Sequence, residues 1–433
     1  MARIILMSGK GGVGKTTVAA ATALAAAQHG YRTLVISFDL AHSLSDVYDH
    51  PRPLFDHYKG MPCPVADHLD MQEVDVQEEV ERHWGNVYKY FAAVFTSTGL
   101  PHLVAEELAI VPGVEDVVTL MYLNKYLQEQ TYDVLLVDCP PTGEALRFVS
   151  MPTTLEWYMN KLFGLERSVM KVARPMVKRL TAIPLPDDSY FAALERLFAR
   201  LEGIEKVLVD PATTSVRLVT QAEKMVVRET QRAYMYFSLY GMITDQVIIN
   251  RLVPTGERSL ARWSHVQAGY VAALREYFQP VPVATLPWFD AEMLGLPRLQ
   301  DIAQALYDGT DPTQFYLHEP PYAFTKTGEL YTLQLTLPFV QKEELSISRQ
   351  HDEVVIRVGT FKRHVPLPRA LTRLKTAGAK LDGGCLTIQF VEERSSRKPR
   401  TLPQAPGNAM SMTSGRGTPA LRRGCRSVPC YGG

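Results

Sequence analysis

Residues 8–17 read SGKGGVGKTT, and this stretch restricts the fold more than any other. Gly9, Gly14, Lys15 and Thr16 fall on the spacing G-x-x-x-x-G-K-[ST], the pattern of a loop that wraps phosphate between a strand and a helix. Both flanks fit. Arg3 to Ser8 is a short apolar run of strand type, and Thr16 to His29 is rich in alanine and leucine and closes on Gly30, a helix C-cap residue. Glycines let backbone N–H groups approach an anion, and the helix N-terminus adds its dipole and unpaired donors. Gly9, Lys10, Gly11, Gly12, Val13, Gly14, Lys15, Thr16 and Thr17 are therefore the expected nucleotide-binding set. Lys15 is expected to reach the β- and γ-phosphates of ATP, and the Thr16 hydroxyl to join a Mg²⁺ shell.

Lys10 is a second lysine, directly after the loop's first glycine. It sits too near the bend to fold back easily onto its own phosphates. Pointing outward, it would neutralise charge on the nucleotide of a facing subunit, as an arginine finger does. K-G-G-x-G-K-[ST] resembles the deviant loop shared by nitrogenase iron protein, the Min and Par partitioning ATPases, and the ATPases that drive arsenite efflux or deliver tail-anchored membrane proteins. That resemblance implies a homodimer with nucleotide between its subunits.

The chain has 433 residues, enough for two or more domains, and its 46% apolar and 21% charged content is that of an ordinary soluble protein. The opening MARIILMSGKGG lacks the apolar core of a secretory leader, and Val18–Ala27 is too short to span a bilayer. A cytoplasmic location is expected. The five cysteines (Cys63, Cys139, Cys385, Cys425, Cys430) form no C-x-x-C pair, so no zinc site is evident. Charge is balanced overall, but residues 394–433 hold eight basic residues and no acid, leaving 38 basic against 46 acidic residues before them. That Ser-, Pro- and Gly-rich tail reads as disordered and solvated, and no specific nucleic-acid partner is assigned to it.

Apolar strands are expected at 32–38, 132–138, 216–221, 245–252 and 281–287, alternating with helical stretches that include most of 70–130 and 152–206. The pattern predicts an α/β fold, a P-loop NTPase with a mostly parallel sheet covered by helices on both faces. Ligands in such sheets lie at the carboxyl ends of the strands, which puts Asp39, Asp138 and the glycine loop in one site. After about residue 320 the texture changes to period-2 alternation. Leu330, Thr332, Gln334 and Thr336 oppose Tyr331, Leu333, Leu335 and Leu337, and VVIRV, FKRHVPLP and GGCLTIQF follow. This predicts a small all-β sandwich. In order of motifs it resembles the α-crystallin domain of small heat-shock proteins. The expected organisation is an ATPase domain over 1–315, with helical insertions near 75–130 and 152–206, a sandwich over 320–392, and the tail 394–433.

FDLAHSLSD (38–46) and VDCPPTGEALR (137–147) resemble the two switch segments of the arsenite-pump and tail-anchor-targeting ATPase family, with Leu40 in place of that family's proline. The resemblance covers about residues 2–310. It implies that Asp39 orients the attacking water, that Asp138 holds Mg²⁺ directly or through water, and that Pro140, Thr142 and Gly143 form a hinge sensing the γ-phosphate. It also places Glu223 at the ribose and Asn250 at the adenine, where an amide offers both a donor and an acceptor. PGVEDVV (112–118) matches the motif that precedes the family's client-binding helices, and the methionine-rich 151–177 falls where those helices form an apolar groove.

The resulting expectation is a Mg²⁺-dependent dimeric ATPase whose switching controls binding of a hydrophobic protein client or membrane partner, similar to tail-anchored-protein targeting. One alternative is the ATPase subunit of an arsenite or antimonite pump, although those carry two ATPase halves in one chain and this has one. A second is a small heat-shock-type holdase. A partitioning ATPase is disfavoured by the AHSLSD text and the sandwich.

Overall fold

The computed structural model describes residues 2–37, 43–50, 60–74, 114–145, 150–151, 188–256, 258–350 and 352–392. Its centre is an eight-stranded sheet: β1 (Arg3–Ser8), β2 (Thr33–Ser37), β3 (Cys63–Ala66), β4 (Leu69–Glu73), β5 (Val134–Asp138), β6 (Thr214–Gln221), β7 (Thr244–Leu252) and β8 (Val283–Pro287). The spatial order is β3-β4-β2-β5-β1-β6-β7-β8. All neighbours run parallel except β3 and β4. Such strands are buried on both faces, which is why β1, β2 and β5 are fully buried apolar runs.

Alternate residues feed two cores. Ile5, Met7, Val35, Leu136, Val219 and Ile248 pack under α1 (Lys15–Gln28) and α8 (Gly295–Tyr307). Ile4, Leu6, Leu34, Ile36, Leu135 and Val137 face the other way. There they meet α3 (Val114–Glu129), α4 (Asp188–Leu201), α5 (Ile204–Val209), α6 (Lys224–Leu239) and α7 (Ala261–Tyr277). Helix α1 is alanine-rich because it is buried between sheet and α8, where small side chains permit close approach. The short α2 (Ser43–Val47) starts on Glu73, whose Oε1 accepts from the backbone N–H groups of Leu44 at 2.9 Å and Ser45 at 3.0 Å.

Two findings differ from the sequence reading. The β3–β4 pair extends the sheet where no strand was expected, and residues 70–73, read as helical, belong to β4. LDMQE carries a carboxylate at each end of its run, and neither helix nor strand periodicity stands out in so short a segment. Of the stretch read as helical, the described helix is α3, Val114–Glu129.

The C-terminal part packs a four-stranded sheet, β9 (Tyr322–Thr327), β10 (Leu330–Thr336), β14 (Lys375–Asp382) and β15 (Cys385–Val391), against β11 (Leu345–Gln350), β12 (Glu353–Val358) and β13 (Phe361–Pro366). A single helical turn, α9 (Arg369–Thr372), lies between β13 and β14. The alternation read in β10 holds: Leu333, Leu335 and Leu337 are buried, Gln334 and Thr336 exposed. Its core includes two side chains from the other domain, Met235 and Leu239 of α6. Tyr322 donates to the Leu239 carbonyl, and the Tyr236 and Phe361 rings lie 4.0 Å apart.

The linker is fastened to the sheet by buried arginines. Arg3 Nη2 and Arg217 Nε flank Asp245 at 3.2 and 3.4 Å, and Asp245 and Arg217 are fully buried. Arg3 Nε donates to the Thr313 carbonyl at 2.9 Å, and Arg217 Nη2 to that of Gln314 at 3.1 Å. Phe315 stacks 3.6 Å from the Arg3 guanidinium, and Tyr316 lies 5.0 Å from that of Arg217. Burial pushes the Arg3 guanidinium down to about 9 against the opposing pull of Asp245. Asp245→Asn would leave two buried cations without their shared carboxylate. Denaturant unfolding should show a loss of about 3–5 kcal/mol, and a loss below about 1 kcal/mol contradicts this account.

Candidate nucleotide site

The phosphate loop leaves β1 at the carboxyl edge of the sheet, between β5 and β6. Its first and last glycines are obligatory for steric reasons. A Cβ on Gly9 would lie 2.1 Å from the Val219 carbonyl oxygen, so the loop's start touches the neighbouring strand's backbone. Gly14 has φ 90° and caps α1, and a Cβ there would lie 2.5 Å from Asn250 Nδ2. Val13 is buried beneath the loop, which thereby closes over its own apolar residue.

Lys15 is buried and its Nζ donates to the Lys10 carbonyl at 3.4 Å, spanning the loop. Lys10 itself is half-buried, and Gly11 and Gly12 are exposed. The Thr16 hydroxyl donates to Asp138 Oδ2 at 2.7 Å, and Ser37 Oγ lies 3.3 Å from the same oxygen. The structure thus brings Thr16 and Asp138 together, with Lys15 directly before Thr16 at the start of α1. Nearby, Ser8 Oγ and Thr142 Oγ1 are buried with no protein partner among the described residues. Buried hydroxyls of this kind are suited to a polar ligand. Hydroxyl and carboxylate oxygens are the donors a hard cation such as Mg²⁺ takes, so the residues present fit that ion.

From Asp138 the chain runs straight into residues 139–145. Cys139 N–H donates to the Met7 carbonyl at 3.0 Å, and residues 142–145 form a helical turn whose Glu144 N–H bonds the Pro141 carbonyl. Pro140 and Thr142 are buried and Gly143 is exposed. Asp39, in the first switch segment, lies outside the described residues, as do Pro112, Gly113 and most of 151–177.

Beside the loop opens a cavity of about 330 Å³, lined by Gly14, Thr17, Asn250, Arg251, Pro287 and Phe289 among others. Asn250 Nδ2 donates to the Val13 carbonyl at 2.9 Å and its Oδ1 accepts from Arg251 N–H at 2.8 Å. The amide therefore also braces the loop from the end of β7. Glu223 is exposed at the start of α6, directly after β6. Two features were not read from the sequence. One is the β8–α8 loop, Trp288 to Leu294, which closes the cavity, and its apolar residues were the available signal. The other is Arg251.

Of the cysteines, Cys63 is on β3, Cys139 follows β5 and Cys385 begins β15. Three strand spacings, about 14 Å, separate β3 from β5. No cluster of three or more His, Cys, Asp or Glu suited to a metal occurs among the described residues.

Residues 2–308 match the profile described as "Anion-transporting ATPase". The chain belongs to that family. It is an ATPase, and residues 328–390 match the HSP20-like domain found in ArsA. The putative arsenical pump-driving ATPase 1 of Aquifex aeolicus is 46% identical over 386 residues, which is 88% of this chain and 98% of that one. A putative arsenical pump-driving ATPase of Chlorobaculum tepidum is 34% identical over 92% and 98% of the two chains. The ATPase get3 of Schizosaccharomyces pombe is 25% identical over 70% and 90%. No described helix is long and apolar enough to cross a membrane.

Gly14→Ala would displace Asn250 and force alanine into a left-handed conformation, at about 1–2 kcal/mol for the conformation alone. Calorimetric titration with ATP should show at least tenfold weaker binding with unchanged far-ultraviolet circular dichroism. Binding within twofold of wild type contradicts the steric account.

Proposed function

We propose that this family member is a cytoplasmic, homodimeric, Mg²⁺-dependent ATPase whose nucleotide state controls the binding of a hydrophobic protein client. The observation that carries the reading is the hydrogen bond from Thr16 to Asp138, because it ties the phosphate loop to the strand that leads into the Pro140–Gly143 hinge. In this reading Gly9 to Gly14 cradle the phosphates with backbone N–H groups and Lys15 neutralises the β- and γ-oxygens. Bound Mg²⁺, held by Thr16 and Asp138, neutralises further phosphate charge. Asp39 orients the attacking water. Lys10 acts across the dimer on charge that develops in the transition state. Asn250 faces the base and Glu223 the ribose. Thr142, buried with its hydroxyl unpartnered among the described residues, is placed to register the γ-phosphate and pass its loss to the segment that follows.

An apolar client is favoured by the methionine-rich 151–177 and by the appended HSP20-like domain. A second reading, the driving subunit of an arsenical pump, is favoured by the names of relatives at 46% and 34% identity. Against it, the described cysteines lie on or directly after separate strands, and a thiolate metalloid site would have to bring them together.

Asp39→Asn protein, expected to bind ATP without turnover, should be purified from cells with ATP and Mg²⁺ beside Lys15→Ala. Membrane proteins enriched only with the Asp39→Asn form are the expected result. Absence of enrichment together with wild-type turnover stimulated by arsenite would establish the pump reading instead. Holdase activity equal in wild type and Lys15→Ala would make the nucleotide incidental.

A further inference from the structure

The end of β7 is irregular where it passes the phosphate loop. The β7–β8 ladder pairs Ile249 with Thr285 and Leu252 with Pro287, and its register shifts between them. Arg251 occupies that break with φ 58°, a left-handed conformation that costs a non-glycine residue about 1–2 kcal/mol. Such a residue persists only when its surroundings over-determine it, and bulges of this kind re-aim a side chain. Here they do both. Asn250 Oδ1 accepts the Arg251 N–H at 2.8 Å. Gln267, buried on α7, donates from Nε2 to the Arg251 carbonyl at 3.4 Å and accepts the Val253 N–H at 2.8 Å on Oε1.

The consequence is a side chain turned back over the phosphate loop. Arg251 Nη1 donates to the Gly12 carbonyl at 3.2 Å, and the residue lines the cavity beside Gly14 and Thr17. Among the described residues it is the one basic side chain lining that cavity. A guanidinium carries five N–H donors, and among the described residues only one of them is engaged. The rest remain at the mouth of the cavity, next to the start of α1. Simple bracing of Gly12 would need neither a full positive charge nor a strained backbone.

We propose that Arg251 is a nucleotide-binding residue that holds the phosphate loop through Gly12 and contacts the phosphate chain of the bound nucleotide with its free N–H groups. This rests on the nucleotide-site reading above. It adds a third cation, from β7, to the two lysines of the loop. Because the contact is made to bound nucleotide in ground and transition states alike, it strengthens binding more than turnover.

The test is ADP affinity, with Mg²⁺, for full-length wild type, Arg251→Ala, Arg251→Gln and Arg251→Lys, alongside ATPase kinetics. The expected result is ADP binding at least tenfold weaker in the Ala and Gln variants, with lysine retaining more affinity than glutamine. KM for ATP should rise in parallel while kcat stays within about threefold. Binding by Arg251→Ala within twofold of wild type overturns the proposal. So does glutamine matching wild type, which would leave only the neutral brace on Gly12, and so does lysine no better than glutamine, which would remove the role of charge. Thermal melting of each variant separates misfolding from lost contact, and the Gln–Lys comparison stands even if Arg251→Ala folds poorly. If wild type itself fails to bind ADP, or Lys15→Ala binds as tightly as wild type, the nucleotide-site reading fails and Arg251 falls with it. Failure of the Arg251 variants alone leaves that reading intact.

Discussion

Asp138 stands at the carboxyl end of β5, 1% exposed, with the Thr16 hydroxyl 2.7 Å and the Ser37 hydroxyl 3.3 Å from one of its oxygens. Three separate pieces of chain therefore meet on one carboxylate: the first turn of α1, the end of β2 and the end of β5. Their order follows from the sheet, because β5 lies between β2 and β1 and is in register with both. A buried carboxylate is costly unless hydrogen-bonded, and these two hydroxyls supply part of that requirement. The loop that carries both lysines leaves β1, the neighbour of β5.

Much of this was legible in the sequence. The glycine loop declares itself because two of its glycines are sterically constrained, Gly9 by the Val219 carbonyl and Gly14 by its left-handed backbone beside the Asn250 side chain. The buried parallel strands are equally plain, since a strand covered on both faces has to be apolar throughout. The edge strand β3 and its antiparallel neighbour β4 gave no such signal. Neither did β14 of the sandwich, KTAGAKLD, which is exposed at nearly every position and has few strong strand formers. Arg3 and Arg217 were invisible for a different reason. In sequence they look like charged interruptions of apolar strands, and only the fold shows a carboxylate between them and a linker laid across them. Arg251 is similar, because nothing in IINRL announces a left-handed residue. The catalytic aspartate inferred by resemblance, Asp39, belongs to residues outside those described, so its placement rests on sequence alone.

Helix α6 has a double role. Its first turn follows β6 at the nucleotide edge. Its body packs Val227, Ala233, Tyr234 and Phe237 on the sheet, while Met235 and Leu239 complete the core of the sandwich. The linker is held as well, so the C-terminal domain is joined to the ATPase domain at two places, one covalent and fastened by arginines, the other a shared apolar core.

A helix of 16 residues is about 24 Å long. Rigid along that length, α6 runs from the carboxyl edge of the sheet into the core of the β-sandwich. A tilt of about 5° at the first turn carries the far end about 2 Å, a displacement that a close-packed core transmits rather than absorbs. The sandwich is accordingly not cargo tied on by a tether. It is seated on a helix whose first turn follows β6 at the carboxyl edge of the sheet.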